Sequence, residues 1–99
     1  MGMIGIVLTR SAERDIFDIA DYIAEQGSPL AAERFVGKLK AECEKLGRLP
    51  GKGHFRAEVP RPLKVLNFKN YVIVYRLEKE PVEIVRVLHS RRDFTSIEF

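Results

Sequence analysis

Apolar residues recur at intervals of three and four in two segments of the first half of the chain. This spacing places them on one face of a helix, with polar residues on the opposite face. The first stripe consists of Ala12, Ile16, Ile19, Ala20 and Ile23, and the second of Ala32, Phe35, Val36, Leu39, Cys43 and Leu46. Two amphipathic helices are therefore predicted. Phe17 and Tyr22 lie beside the first stripe, and packing in the core is the default expectation for them.

Residues suited to capping precede both stripes. Thr9 can accept a backbone N–H at the start of the first helix, which should run to about Gln26. Ser28 and Pro29 suit the N-cap and first position of the second helix, which should run to about Leu49. Since only Gly27 and Ser28 separate the two helices, we expect an antiparallel hairpin.

The second half of the chain alternates apolar and polar residues, as strands do. Strands are predicted over Leu63–Phe68, Tyr71–Leu77 and Val82–His89, with turns at 69–70 and 78–81, and a short opening strand over Ile4–Leu8. In the last strand, Val82, Ile84, Arg86 and Leu88 should share one face, and Glu83, Val85, Val87 and His89 the other. The element order is β-α-α-β-β-β. We predict an α+β fold in which the helical hairpin covers one face of a small, mainly antiparallel sheet.

Length and composition favour one domain over residues 1–99. No stretch is long enough to span a bilayer, and the apolar run from Ile4 to Leu8 is too short for a signal peptide. A cytoplasmic protein without membrane association is expected. The single cysteine, Cys43, allows no internal disulfide and lies on an apolar stripe, so a buried thiol is predicted.

The net charge of +3 is unevenly distributed. Carboxylates concentrate in the first half, whereas residues 51–69 contain one acid, Glu58, among basic residues. Those basic residues are Lys52, Arg56, Arg61, Lys64 and Lys69. A basic segment of this kind suits a polyanion or an acidic protein partner, and it is equally typical of a solvated loop.

His89 is the first candidate for chemistry, because it ends the last strand beside Arg91 and Arg92. It could act as a general acid or base, or its ring could simply hydrogen-bond the end of the sheet. Arg76 and Arg86 could form a cationic surface on the face turned away from the helices, or pair with Glu83 and Glu78 across the strands. The two histidines, His54 and His89, lack metal-site spacing. No metal or other cofactor is expected.

Several segments resemble the RelE/ParE superfamily of toxins. In the helices these are Ser11-Ala12-Glu13-Arg14-Asp15, Asp21-Tyr22-Ile23-Ala24-Glu25 and Ala31-Ala32-Glu33-Arg34-Phe35. The strongest match is Asn70-Tyr71-Val72-Ile73-Val74-Tyr75-Arg76 followed by Val82-Glu83-Ile84-Val85-Arg86-Val87-Leu88-His89. This pair is similar to the ParE branch, whose last strands commonly read "YVIxYR" and "VEIxRVLHxxRD". The resemblance covers nearly the whole chain.

The resemblance implies the toxin of a bacterial type II toxin–antitoxin module, which inhibits DNA gyrase by protein contact and is neutralised by a ParD-like antitoxin. Direct sequence-specific DNA binding is not expected. The target-binding residues would be His89, Arg91, Arg92, Asp93 and Phe94. The antitoxin would bind Ile16, Ile23, Phe35, Leu39, Arg76 and Arg86, in a hetero-oligomer such as a heterotetramer.

Two other functions fit the same resemblance. The RelE branch cleaves mRNA on the ribosome without a metal, and here His89, Arg76 and Lys64 would be the catalytic residues of such a ribonuclease. A divergent member could instead retain only antitoxin binding.

Overall fold

The computed structural model describes residues 5–78 and 80–99. Its elements are β1 (Ile6–Leu8), α1 (Arg10–Gln26), α2 (Pro29–Arg48), β2 (Lys64–Phe68), β3 (Tyr71–Arg76) and β4 (Val82–His89), with 3₁₀ turns at Pro50–Lys52 and Phe94–Ser96. The predicted α+β class and element order are confirmed. Ile4, predicted in the opening strand, and Lys79, predicted in the last turn, lie outside the described residues.

Both helices begin at the predicted caps. The Thr9 hydroxyl accepts the backbone N–H of Ala12 at 3.0 Å, and the Ser28 hydroxyl accepts that of Ala31 at 3.1 Å. Each cap satisfies one of the N–H groups that have no partner within the helix. In the part of the chain that the structure describes, no helix is both long enough and apolar enough to cross a membrane.

The four strands form one sheet in the order β1-β4-β3-β2. The pairs β2–β3 and β3–β4 are antiparallel, as predicted for consecutive strands with short turns, whereas β1 lies parallel to β4. The register places Tyr71 opposite His89 at one end of the sheet and Arg76 opposite Glu83 at the other. The last strand is therefore an inner strand, between the first strand and the preceding one.

A β-bulge interrupts the pairing of β3 with β4. Tyr75 lies opposite Ile84 and Val74 opposite Arg86, so Val85 is an extra residue in β4. An extra residue exchanges the two faces of the strand beyond it. Val87, not Leu88, accordingly packs on the helix side with Ile84. The predicted strict alternation along this strand is therefore wrong beyond Val85.

Both faces of the sheet are covered by apolar residues. On the helix side the buried residues are Ile6, Ala12, Ile19, Leu39, Cys43, Leu46, Ile73, Tyr75, Val82, Ile84 and Val87. On the other side they are Val59, Leu63, Val65, Val72, Val74, Val85, Leu88 and Phe94, with Ile97 and Phe99 packed against them. The loop after α2 and the C-terminal tail thus form a second core layer. The expectation of a cationic surface on this face is wrong, because these two segments cover it.

The loop after α2 is fixed to the sheet by Tyr75. Its buried hydroxyl donates to the carbonyl of Pro50 at 2.6 Å and accepts the N–H of Gly53 at 3.0 Å. The next residue, His54, forms two backbone hydrogen bonds with Val65 on the outer edge of β2. The loop that precedes β2 is therefore hydrogen-bonded to two strands.

Cys43 is completely buried in the helix-side core, as predicted. Burial raises the pKa of its thiol to about 12, and the neighbouring carboxylates of Glu42 and Glu44 add to the shift. A buried neutral thiol neither ionises nor meets reagents easily.

We expect Cys43 to react with a thiol reagent at pH 8 only at the rate of unfolding. Since its pKa in the folded state lies above that in the unfolded state, the stability it contributes should be complete below about pH 9 and decline as the pH rises towards 12. Urea unfolding of the protein and of Cys43→Ala over this pH range measures the contribution. A pH-independent stability difference between the two proteins, or rapid labelling of the native state, would contradict the expectation.

Candidate functional site

The C-terminal end of β4 carries the exposed side chain of His89. Its Nδ1 accepts the backbone N–H of Arg91 at 3.1 Å, and its ring lies edge-on to Tyr71 with 5.3 Å between centroids. The ring thus hydrogen-bonds the end of the sheet, which is one of the two interpretations that the sequence allows. When the imidazole is neutral, this contact places its proton on Nε2.

The predicted target-binding residues divide into two groups. Arg91 and Arg92 are exposed, and neither has a carboxylate within 4.0 Å among the described residues. Asp93 faces the following turn, where its Oδ1 accepts the N–H of Thr95 at 3.0 Å and its hydroxyl at 2.6 Å, which lowers the pKa of the Asp93 carboxyl. Phe94 is buried in the second core layer, so it cannot contact a target directly.

A groove of about 460 Å³ runs between α1 and this end of the sheet. We call it the terminal groove; its wall residues include Asp18, Ile19, Tyr22, Asn70, Tyr71, His89 and Arg92. Burial raises the pKa of the Tyr71 hydroxyl. With aromatic rings, an imidazole, a carboxylate and a guanidinium, the terminal groove has the chemistry of a protein-binding surface.

Two aromatic residues of α1 are exposed, and the expectation that they pack in the core is wrong. The exposed fraction is 71% for Phe17 and 58% for Tyr22. Neither residue belongs to the series Ala12, Ile16, Ile19 and Ile23, which faces the core. This mismatch with the helical period was the sequence signal that they point outward. A helix that presents such rings to solvent has a surface suited to a partner.

The antitoxin-binding residues predicted on the helices are not equally accessible. Leu39 is completely buried, so it cannot be part of an exposed surface. Ile16, Ile23 and Phe35 are half-buried at the border of the core. Phe35 contacts the rings of Phe68 and Tyr71, with centroids 5.6 and 5.3 Å away.

Arg86 does not lie free on a cationic sheet face. Its Nε and Nη2 donate to the two carboxylate oxygens of Asp15 in α1 at 2.7 and 2.8 Å, and the Val87 N–H donates to Asp15 at 2.9 Å. The hydrogen bonds to Asp15 raise the pKa of the Arg86 guanidinium. This bidentate pair ties α1 to β4. The expectation that Arg86 lies on a cationic face is therefore wrong, because its side chain pairs with Asp15 of α1; its role in antitoxin binding stays a prediction.

Arg76 lies at the opposite end of the sheet, near β1. Its guanidinium is 3.7 Å from carboxylate oxygens of both Glu78 and Glu83, which agrees with the predicted alternative of pairing across the strands. The Arg76 Nε atom is buried without a hydrogen-bond partner among the described residues. Val7 and Leu77 are 46% and 43% exposed. β1 is one of the two edge strands, and within residues 5–78 and 80–99 no strand pairs with its outer side, where a further strand could be added.

The three residues expected for a ribonuclease are not brought together. His89 lies opposite the first residue of β3, whereas Arg76 is its last residue, so the two are roughly 17 Å apart along the strand. Lys64 lies opposite Tyr75, close to the Arg76 end, and its ammonium group is 5.2 Å from the ring of Phe55. Within residues 5–78 and 80–99, no three His, Cys, Asp or Glu side chains converge as metal ligands would.

The chain is similar in sequence to known toxins and in fold to one solved structure. Residues 6–94 match the model of the ParE toxin of the type II toxin–antitoxin system parDE. The chain is 38% identical over 90 residues to a protein named Toxin RelE2 from Caulobacter vibrioides, covering 91% of this chain and 99% of the relative. It is also similar in fold to a chain of the chromosomal ParDE system from P. aeruginosa, with a TM-score of 0.76 and 19% identity over 88% of this chain and 96% of the other.

Proposed function

The chain belongs to the ParE toxin family of type II toxin–antitoxin systems, and from this premise we propose that it inhibits DNA gyrase by protein contact and is neutralised by a ParD-like antitoxin. We favour inhibition over RNA cleavage because His89 lies far from both Arg76 and Lys64. General acid–base catalysis requires its groups within hydrogen-bond reach of one substrate position. A distance of roughly 17 Å along one strand does not provide this.

The surface that contacts gyrase is the exposed end of β4 with the segment after it. His89, Arg91 and Arg92 are accessible there, and both arginines are free of intramolecular ion pairs among the described residues. Arginine is enriched in protein interfaces and pairs well with carboxylates. Asp93 supports this surface by holding the following turn, and Phe94 supports it by anchoring that turn in the second core layer.

The antitoxin binds on the helix side and at the β1 edge. The exposed rings of Phe17 and Tyr22, with half-buried Ile16, Ile23 and Phe35, offer apolar surface to an amphipathic helix. Tyr22 lines the terminal groove together with Arg92, so a segment bound there also covers part of the gyrase-binding surface. The antitoxin then neutralises the toxin by covering its gyrase-binding surface. The two proteins form a cytoplasmic hetero-oligomer such as a heterotetramer. Arg76, whose side chain is about one-third exposed and lies near Glu78 and Glu83, is at the end of the sheet where β1 pairs with β4.

We expect the purified protein to inhibit supercoiling by gyrase or to trap its cleaved DNA complex. The double variant R91E/R92E should weaken this effect at least tenfold, because it reverses both accessible charges of the contact surface, a loss of about 1.4 kcal/mol or more. Titration of each protein into a supercoiling assay measures the effect. The matched control is K38E/K40E, which makes the same charge change at exposed positions of α2 and should inhibit like the original chain.

The name of the Caulobacter vibrioides relative makes ribosome-dependent mRNA cleavage the competing outcome. In a translation reaction, the protein should leave mRNA intact, and His89→Ala should not change that result. Unaffected gyrase together with mRNA cleavage that His89→Ala abolishes would replace the proposal with ribonuclease activity. If expression of the free protein is harmless but the protein still binds the antitoxin, then antitoxin binding is its only remaining function.

A further inference from the structure

Three cations converge on the loop between α2 and β2. The guanidinium of Arg61 lies 3.9 Å from the centroid of the Phe55 ring, and the ammonium of Lys64 lies 5.2 Å from it. Arg56, which lines the same shallow depression as Phe55 and Arg61, stacks on Phe94 at 4.2 Å. We call these four residues, Phe55, Arg56, Arg61 and Lys64, the Phe55 cluster.

The Phe55 cluster is held in place before any ligand binds. Phe94, beneath Arg56, is buried in the second core layer, and Lys64 is the first residue of β2. The backbone before the cluster is fixed by the hydrogen bonds of Gly53 to Tyr75 and of His54 to Val65. An arginine that stacks on an aromatic ring keeps its N–H groups at the edge of the guanidinium plane, where they can bind an anion.

The charge of the cluster is only partly compensated. Glu58 accepts from Arg56 Nε at 2.8 Å, and this hydrogen bond lowers the pKa of the Glu58 carboxyl. Among the described residues, Arg61 and Lys64 have no carboxylate within 4.0 Å. Three positive charges against one negative charge leave a local excess of +2.

The chemistry of the cluster favours a phosphate backbone over a protein surface. Protein interfaces rely on exposed aromatic or aliphatic anchors and are depleted in lysine. Here Arg61 and Lys64 lie against the Phe55 ring, which is 42% exposed, and arginine and lysine make up three of the four residues of the cluster. Interfaces with DNA are positively charged and bind phosphates through arginine and lysine.

We propose that the Phe55 cluster binds the phosphate backbone of duplex DNA without reading its sequence, and that it contacts the DNA held by gyrase. The second part rests on the proposed function. The cluster lies over the second core layer, on the opposite side of the sheet from α1 and α2. Contact with DNA at this place leaves the exposed face of α1 accessible.

Binding of a fluorescent duplex of about 20 base pairs, measured by anisotropy between 50 and 200 mM salt, tests the proposal. The variant R61E/K64E should bind at least tenfold more weakly. Glu58→Gln should bind several-fold more tightly and steepen the slope of log K against log salt by about 0.9, because it frees Arg56 for one more phosphate. K38E/K40E, with the same charge change as R61E/K64E but away from the cluster, should bind like the original chain.

The contrary outcomes are distinct. Equal loss of binding in R61E/K64E and K38E/K40E would show an effect of overall charge and would overturn the proposal. Absent DNA binding, or tighter binding to an RNA duplex or an acidic peptide than to DNA, would do the same. A chain that inhibits gyrase but does not bind DNA would refute only this inference. If the protein binds DNA through the Phe55 cluster but does not affect gyrase, gyrase inhibition would be refuted. The inferred contact between the cluster and DNA held by gyrase would be refuted with it.

Discussion

Asp15→Ala is expected to lower the free energy of unfolding by about 3–5 kcal/mol, because it removes one partner of a mostly buried ion pair. The side chains of Arg86 and Asp15 are only 17% and 11% exposed. The substitution leaves the guanidinium of Arg86 and the N–H of Val87 without their acceptor. A domain of this size has a total stability of about 5–15 kcal/mol, so the loss is a large share of it. Urea unfolding followed by circular dichroism measures the change.

Two variants control for the helix and for the charge. Asp18→Ala makes the same substitution at an exposed position of α1 and should change stability by less than about 0.5 kcal/mol. Adding Arg86→Met to Asp15→Ala should restore part of the loss, because it removes the unpaired cation. A loss in Asp15→Ala no larger than that in Asp18→Ala would show that the pair does not stabilise the fold.

The Asp15–Arg86 pair should give little pH dependence from Arg86 near neutrality. In the folded state, the hydrogen bonds to Asp15 raise the pKa of the Arg86 guanidinium above its ordinary value. The stability it contributes is thus fully present below that value and is lost only as the pH rises through the folded pKa.

Gly53→Ala is expected to destabilise the protein by about 2–4 kcal/mol through overpacking and lost hydrogen bonds. A Cβ atom at this position would lie 2.6 Å from Cε1 of Tyr75 and 2.7 Å from the carbonyl oxygen of Val65. The backbone at Gly53 is extended, so space and not conformation requires glycine. The contact would displace the Tyr75 hydroxyl, which joins the carbonyl of Pro50 to the N–H of Gly53.

Gly51 provides the matched control in the same loop, because a Cβ there meets nothing within 4 Å. Gly51→Ala should therefore leave stability within about 0.5 kcal/mol of the original chain. The double variant G53A/Y75F should lose less than the sum of its single variants, since both disrupt one set of hydrogen bonds. Equal thermal and urea midpoints for Gly51→Ala and Gly53→Ala would contradict the steric explanation.

The element order was predictable because local signals agree with the final fold. Thr9 and Ser28 cap the helices through contacts with residues three positions away, and such contacts are visible in a sequence. The apolar stripes and the alternation in β3 likewise depend on neighbouring residues. The pattern therefore predicted the helical hairpin and the antiparallel strands, with boundaries that differ by at most one residue among the described residues.

The features that the sequence did not reveal depend on contacts between distant residues. The bulge at Val85 changes which face Val87 occupies, but valine suits either face. Asp15 and Arg86 are 71 residues apart, so neither charge shows locally that it has a partner. The tail returns across the sheet and buries Phe94, which turned a predicted contact residue into part of the core.

The position of β4 in the sheet has a consequence for synthesis in the cell. It is translated after β1 and β3, yet it lies between them in the sheet, and the hydroxyl of Thr9 reaches the carbonyl of Val85 across 76 residues. A nascent chain that lacks Val82–His89 cannot pair its first strand or complete either core layer. Folding that depends on such long-range contacts waits until Val82–His89 has been translated. We therefore expect a chain whose synthesis stops before β4 to be inactive and open to proteases.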